Sequence, residues 1–354
     1  MPRLILAPLA LTMLFAPALP LTTAAQAASF DCSKATTSFE KAICASDELS
    51  NEDEILAQAY ATALGGLSTD AANAIKAGQK AWLDYAGKAC SDDAKPITGT
   101  YTADQTQCLV STFQTRITGL EASKMQGGYR FYPIERFLLE PDPDAEADAA
   151  SKLGDKHFET VKIDRDDDVA KAFNAAIDKM WKDSQFSPDG ETPLFTKGTT
   201  DLAPGNPSTD VDYTTTVKAV AGNRITLETN IYWYGHGAAH GNYDIRYDHF
   251  LVDKKRMLQA SDLFKGDWKA SLGKMIVAKA KALLGDDYQG GDDDKTVADN
   301  ATDPSRWDFS DDGLVVQFEP YEIAPYAAGA VTVTILWSDL SDILADDGQT
   351  EVGY

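Results

Sequence analysis

The densest run of chemically capable side chains lies between Gly235 and Asp244, where His236 and His240 stand four residues apart with Asp244 close behind. On a helix, two histidines at that spacing would face one metal ion, and with Asp244 they could support metal-assisted hydrolysis of an envelope substrate. Gly235, Gly237 and Gly241 disfavour a helix, so the segment reads instead as a loop joining two strands. Glu319 and Glu322 could be an acid/base pair of the kind that flanks a glycosidic bond, but Glu-Pro-Tyr-Glu at a strand exit reads as loop chemistry. The acidic runs Asp164 to Asp168 and Asp292 to Asp294 lack the alternating oxygen pattern of a calcium loop and read as solvated surface. There is no G-x-S-x-G elbow, H-E-x-x-H pair, phosphate-cradling loop or dinucleotide fingerprint. Only four histidines are available for proton transfer near neutral pH. His249, on an apolar strand face, reads as a core histidine satisfied by a hydrogen bond, and His157 has no pattern that assigns it a role. No catalytic residue, resident metal or cofactor is expected.

A different chemistry, surface contact, is suggested by Phe318 to Gly329. Its two prolines and two tyrosines make a stiffened loop with amphipathic aromatic faces, which can bind a partner at low entropic cost. Tyr321, Pro325 and Tyr326 are the expected contacts. The same composition also suits a crossover packed only for the fold.

All four cysteines, Cys32, Cys44, Cys90 and Cys108, fall in the first third of the chain. Three pairings are possible; Cys32 with Cys44 and Cys90 with Cys108 is favoured because each then closes a short local loop. Helical signals fill the same region. Thr37 to Glu40 is a capping box, Ser50 to Asp53 opens a second helix carrying Leu56, Tyr60 and Leu64, and two more place Ile75, Trp82 and Tyr85, then Leu109, Phe113, Ile117 and Leu120, inward. Four short helices bury little area, so disulfides are a sensible supplement.

An acidic, proline-bearing stretch from Glu140 to Asp148 reads as part of a linker. Beyond it Val169, Phe173, Ile177 and Trp181 mark a helix. Val211 to Val217 and Ile225 to Trp233 alternate as a hairpin turned at Ala221-Gly222-Asn223, with Ile245 to Leu251 as the next strand. A long helix carries Trp268, Leu272, Met275, Ile276 and Leu283. Strands at Leu314 to Phe318 and Val331 to Trp337 lead to a short helix around Leu340 and Leu344. The expected fold is two domains: a small all-α disulfide-bonded N-terminal domain and an α+β C-terminal domain with a mainly antiparallel sheet.

At the N-terminus, an apolar stretch from Leu4 to Leu21 ends in Ala25-Gln26-Ala27, a signal-peptide pattern cut after Ala27, and no cysteine follows it at a lipid-attachment spacing. The expected organisation is a signal peptide at 1–27, the helical domain at 28–124, a linker at 125–154, the α+β domain at 155–345 and a tail at 346–354. No membrane span is expected after the leader. The formal charge of −23 argues against nucleic acid and favours capture of cationic partners.

Phe30-Asp31-Cys32, Glu40-Lys41-Ala42-Ile43-Cys44, Asp47-Glu48-Leu49, Tyr60 and Gln79-Lys80-Ala81-Trp82-Leu83, with Cys90 and Cys108, resemble the N-terminal domain of the LprI-like lysozyme inhibitors over Ser29 to Ser123. That resemblance implies a disulfide-bonded helical envelope domain and, for the family's namesake, lysozyme inhibition. The namesake is a lipoprotein, and the acylated cysteine has no counterpart here. From Asp155 to Leu344, the segments Gly237 to Tyr243, Ala260 to Phe264 and Pro320 to Gly329 look like the RsiV-type domain. That domain is a lysozyme receptor in anti-sigma factors and an accessory module of the PdaC deacetylase. Neither a sigma-binding segment nor a deacetylase domain accompanies it here. The joint expectation is a periplasmic or secreted protein that binds lysozyme or another cationic protein, as inhibitor or decoy. The alternatives are the metal-dependent hydrolase above and a non-catalytic peptidoglycan or envelope-binding module.

Overall fold

The computed structural model describes residues 28–146, 149, 151–183, 193–291 and 294–354. The expected leader and its cleavage point lie outside the described residues, as do Asp292 and Asp293 of the second acidic run.

Four helices open the chain: α1 (Ser38–Ala45), α2 (Asp47–Leu64), α3 (Thr69–Ala89) and α4 (Ala103–Leu120). Thr37 and Glu40 close the expected capping box on α1. α2 starts at Asp47 and not at Ser50, because Ser46 accepts the Leu49 N–H as its cap. Ser50 is buried within the helix and donates to the Ile43 carbonyl at 2.6 Å. Cys32 is bonded to Cys44 and Cys90 to Cys108, the second bond tying the end of α3 to the start of α4. Ile75, Trp82, Leu109, Phe113 and Leu120 fill the core between these helices.

β1 (Met125–Gln126) and β2 (Tyr129–Pro141) follow directly. The stretch expected as a linker is therefore largely strand, and β3 (Leu153–Ile163) begins before that stretch ends. The strand was hidden because Glu135 and Arg136 interrupt its apolar alternation, and Glu135 is buried only because Arg116 of α4 pairs with it. Among the expected linker residues, Asp142 to Glu146 lie outside any strand or helix.

After β3 come α5 (Asp168–Asp183), β4 (Thr209–Ala221), β5 (Arg224–Gly235), β6 (Asn242–Leu251) and β7 (Arg256–Met257). The seven strands form one sheet in sequence order, antiparallel except for β3 and β4, which run parallel and so need the crossover that contains α5. Gly222, at φ 54°, supplies the left-handed residue of the β4–β5 turn. Phe173, Ile177 and Trp181 of α5 pack with Phe158, Tyr213 and Phe250 on one face of the sheet. The opposite face, near β2 and β3, is covered by α3 and α4: Tyr85 stacks on Phe137 at 4.8 Å and donates to Asp155 at 2.5 Å.

A third layer completes the chain. It contains α6 (Ala260–Leu263), α7 (Trp268–Leu284), α8 (Lys295–Asn300), β8 (Trp307–Phe309), β9 (Gly313–Phe318), β10 (Val331–Leu336), α9 (Trp337–Leu340) and α10 (Gly348–Glu351). β10, β9 and β8 form a separate antiparallel sheet, so the two late strands expected from the sequence do not join the first sheet. Leu272 and Ile276 of α7 pack against Leu314, Val316 and Ile335, whereas Leu283, grouped with them by its helical spacing, is 62% exposed. The expected tail is no free end: Val352 is fully buried and Tyr354 donates its hydroxyl to the Phe309 carbonyl at 2.9 Å. The whole is a helical disulfide-bonded region followed by an α+β region whose sheets are mostly antiparallel.

Candidate partner-binding surface

The loop between β9 and β10 is anchored at both ends and presents rings in its middle. Ile323 and Ala324 are buried, and the Ile323 carbonyl accepts the Gln289 N–H at 2.9 Å. Glu322 takes the Arg306 guanidinium at 2.6 Å, pairs with Asn300 and accepts the Glu319 N–H at 2.8 Å. At the far end the Ala330 N–H donates to the Tyr243 hydroxyl at 3.0 Å.

Between these anchors Tyr321 sits in the left-handed region at φ 70° and is 56% exposed. A tyrosine in that region is held there against its own preference by the surrounding bonds. Pro325 leads into a single 3-10 turn over Tyr326–Ala328. Tyr326 donates to the Gly241 carbonyl at 2.8 Å, and its ring stacks on His240 at 4.0 Å. Tyr321 lies 5.2 Å from Tyr326 and 6.5 Å from His240, centroid to centroid. Tyr321 and Tyr326, two of the three expected contact residues, thus meet His240 in one cluster of rings, a neighbour the sequence had placed in a different motif.

His236 and His240 take separate partners. His236 lies 3.1 Å from Asp210 through Nε2, while His240 Nδ1 donates to the Gly241 carbonyl at 2.8 Å. Asp244 is bound to Arg246 at 2.8 Å, so the segment is the β5–β6 turn and the three do not converge on one ion. His249 is the satisfied core histidine expected, with Nε2 donating to the Trp307 carbonyl at 2.6 Å and burial lowering its pKa to about 3.

Glu319 and Glu322 do not form a pair about a shared substrate site. Glu319 accepts the Ile245 N–H at 3.2 Å and hydrogen-bonds Asp244. Burial, that bond and the Asp244 charge push Glu319 up to about 9, so it is protonated at neutral pH and donates to Asp244. Burial works to raise Asp244, but the Glu319 bond and Arg246 hold it below its ordinary range.

A second concentration of polar groups was not legible from the sequence. Where α3 and α4 meet the sheet, a cavity of about 330 Å³ is walled by Trp82, Tyr85 and Phe137 and by Asp155, His157 and Asp212. Burial raises Asp155 to about 6 despite the Tyr85 hydrogen bond, and raises Glu159 to about 7. Burial would lower His157, but its hydrogen bond to Asp212 and the surrounding carboxylates outweigh that and raise it. His157, to which the sequence assigned no role, is the centre of this group.

The first helical region matches the family described as Lysozyme inhibitor LprI over residues 32–120, and residues 261–338 match DUF3298, a family described as a protein of unknown function. No match was found among curated proteins. A solved structure of a DUF3298 family member from Bacteroides fragilis is 18% identical, with 65% of this chain and 98% of that chain covered at a TM-score of 0.47. A DUF3298 family protein from Pseudomonas aeruginosa is 14% identical, with 64% and 97% covered at a TM-score of 0.42. The chain carries a lysozyme inhibitor LprI domain at residues 32–120, followed by a DUF3298 domain, the RsiV-type C-terminal domain, at 261–338.

Proposed function

We propose that this chain is an exported envelope protein that binds lysozyme and acts as its inhibitor or decoy. The observation that carries the reading is the lysozyme inhibitor domain over 32–120. Two disulfides support a setting where oxidation is permitted, and no described helix is long and apolar enough to cross a membrane. The formal charge of −23 suits a cationic partner, speeding encounter and weakening with added salt.

Tyr321, Pro325 and Tyr326 supply aromatic and stiff contacts, with His240 stacked on Tyr326. In this reading they anchor the enzyme while nearby acids steer it. The test is a titration of the purified chain, without residues 1–27, against lysozyme in a cell-wall lysis assay, alongside a direct binding measurement. Loss of lytic activity on binding is expected for an inhibitor. Unchanged lysis at large excess would remove the inhibitor reading, and no binding at low salt would remove the partner as well.

A further inference from the structure

We propose that Glu135, His157 and Glu159 form a site for one divalent transition-metal ion beneath α4. The sheet brings them together by register. β2 and β3 pair Glu135 with Glu159, and His157 lies two residues before Glu159. One donor atom from each of the three lies within 4.8 Å of the others, and all three residues are buried.

His157 marks the space as a site and not a mere acidic cluster. It is 9% exposed, its Nδ1 donates to Asp212 at 2.7 Å, and its Nε2 is buried without a hydrogen-bond partner. That Nε2 stands 3.9 Å from Glu135 Oε1, too far for a hydrogen bond. Two ligands each about 2.1 Å from a shared ion sit about 3–4 Å apart, which is the separation found.

The outer partners are also in place. Asp212 orients the imidazole, and Arg116 holds the other oxygen of Glu135, leaving Oε1 to face the ion. Glu135, Glu159 and Asp212 set three carboxyl groups around the one guanidinium of Arg116, an excess of acid that a divalent ion would offset. Gly119 keeps the space open, since a Cβ there would lie 2.8 Å from Glu135 Oε1 and 3.0 Å from Glu159 Oε2. His157 and Glu159 also border a groove with Thr115, Thr118 and Thr214, which provides an entry path. Two carboxylate oxygens and one imidazole suit zinc or manganese better than calcium, which takes six or more oxygens. The ion would clasp β2 to β3 where the helical region rests on the sheet.

The test strips the full chain with a chelator and titrates it with Zn²⁺, and separately with Mn²⁺, by calorimetry, with circular dichroism to confirm the fold. One equivalent of at least one ion is expected to bind and to raise the Tm. Asp212→Asn, which leaves all three ligands, is expected to weaken binding by about 10–100-fold. His157→Ala is expected to abolish it, while His236→Ala combined with His240→Ala leaves it unchanged. Failure of both ions to bind would overturn the proposal. So would binding that is unaffected by Asp212→Asn in a folded protein, or binding that is lost in the His236/His240 double variant.

Discussion

Glu135 and Glu159 stand directly opposite each other across the β2–β3 ladder, 5% and 4% exposed, with α4 laid over them at Gly119. Like charges opposite one another destabilise a strand pair. Here the compensating guanidinium comes from the helical region: Arg116, 1% exposed, pairs with Glu135 and donates through Nε to Gln79 at 3.0 Å. The Glu135 charge is therefore compensated only while α4 is in place.

Removing that guanidinium strands a buried carboxylate. Arg116→Met is expected to destabilise the full chain by about 3–5 kcal/mol, the range for breaking one side of a buried ion pair. Combining it with Glu135→Gln should cost less than the two single changes added together, because the second removes the charge the first left unpaired. Urea unfolding of the four proteins measures the coupling. A cost under about 1 kcal/mol for Arg116→Met would mean the pair does not hold the halves together.

The disulfides act on a small core. Cys90 and Cys108 enclose a separation of 18 residues between α3 and α4, and Cys32 and Cys44 one of 12. Replacing Cys90 and Cys108 by alanine should lower stability by about 3 kcal/mol through the freed chain entropy of the unfolded state. Because α3 and α4 also cover β2 and β3, the loss should appear in the unfolding of the sheet as well as in the helical signal. Unchanged near-UV and far-UV melts would contradict both expectations.

The Glu319–Asp244 pair predicts a pH dependence of definite sign. Glu319 is raised from 4.5 to about 9, so the folded chain retains a proton that the unfolded chain has released across that window. Stability therefore falls as pH rises through the window, and the loss is complete beyond its upper end. Arg246 and Arg306 soften the effect, since both face the pair, and Glu322 is already matched to Arg306. Glu319→Gln keeps a donor to Asp244 without a titrating proton, so its stability should decline less between pH 5 and 9 than that of the parent. Parallel slopes for the two proteins would rule out Glu319 as the group responsible.

How much of this was readable depended on whether a residue's role was local. The capping box at Thr37, the Gly222 turn and the alternation of β4 and β5 depend on neighbours in sequence, and they were legible. β2 was not, because the residue that makes Glu135 tolerable in a buried strand, Arg116, lies on another element. His157 was opaque for the same reason: its partner Asp212 and its neighbour Glu135 come from β4 and β2, and a register of strands, not a motif, assembles them. The β9–β10 loop was expected to offer Tyr321 and Tyr326 either as contacts or as fold packing, and His240 was weighed separately as a possible metal ligand. Only the fold shows it stacked on Tyr326.

Tyr321 separates binding from stability. It holds φ 70° while leaving 56% of its surface exposed, so its side chain gives the fold little and its backbone strains it. Left-handed backbone costs a non-glycine residue about 1–2 kcal/mol, and glycine adopts it freely. Tyr321→Gly should thus fold at least as stably as the parent in urea. If the ring is a contact for lysozyme, the same change should weaken binding by about 10-fold or more, the loss seen when an interface aromatic is truncated. Tyr326→Phe offers the complementary case, because it keeps the ring on His240 but removes the hydroxyl bond to Gly241. It should lower stability by about 1 kcal/mol and leave affinity nearly intact. A Tyr321→Gly protein that is stable and binds lysozyme as tightly as the parent would move the contact surface away from this loop, most directly to the inhibitor domain at 32–120.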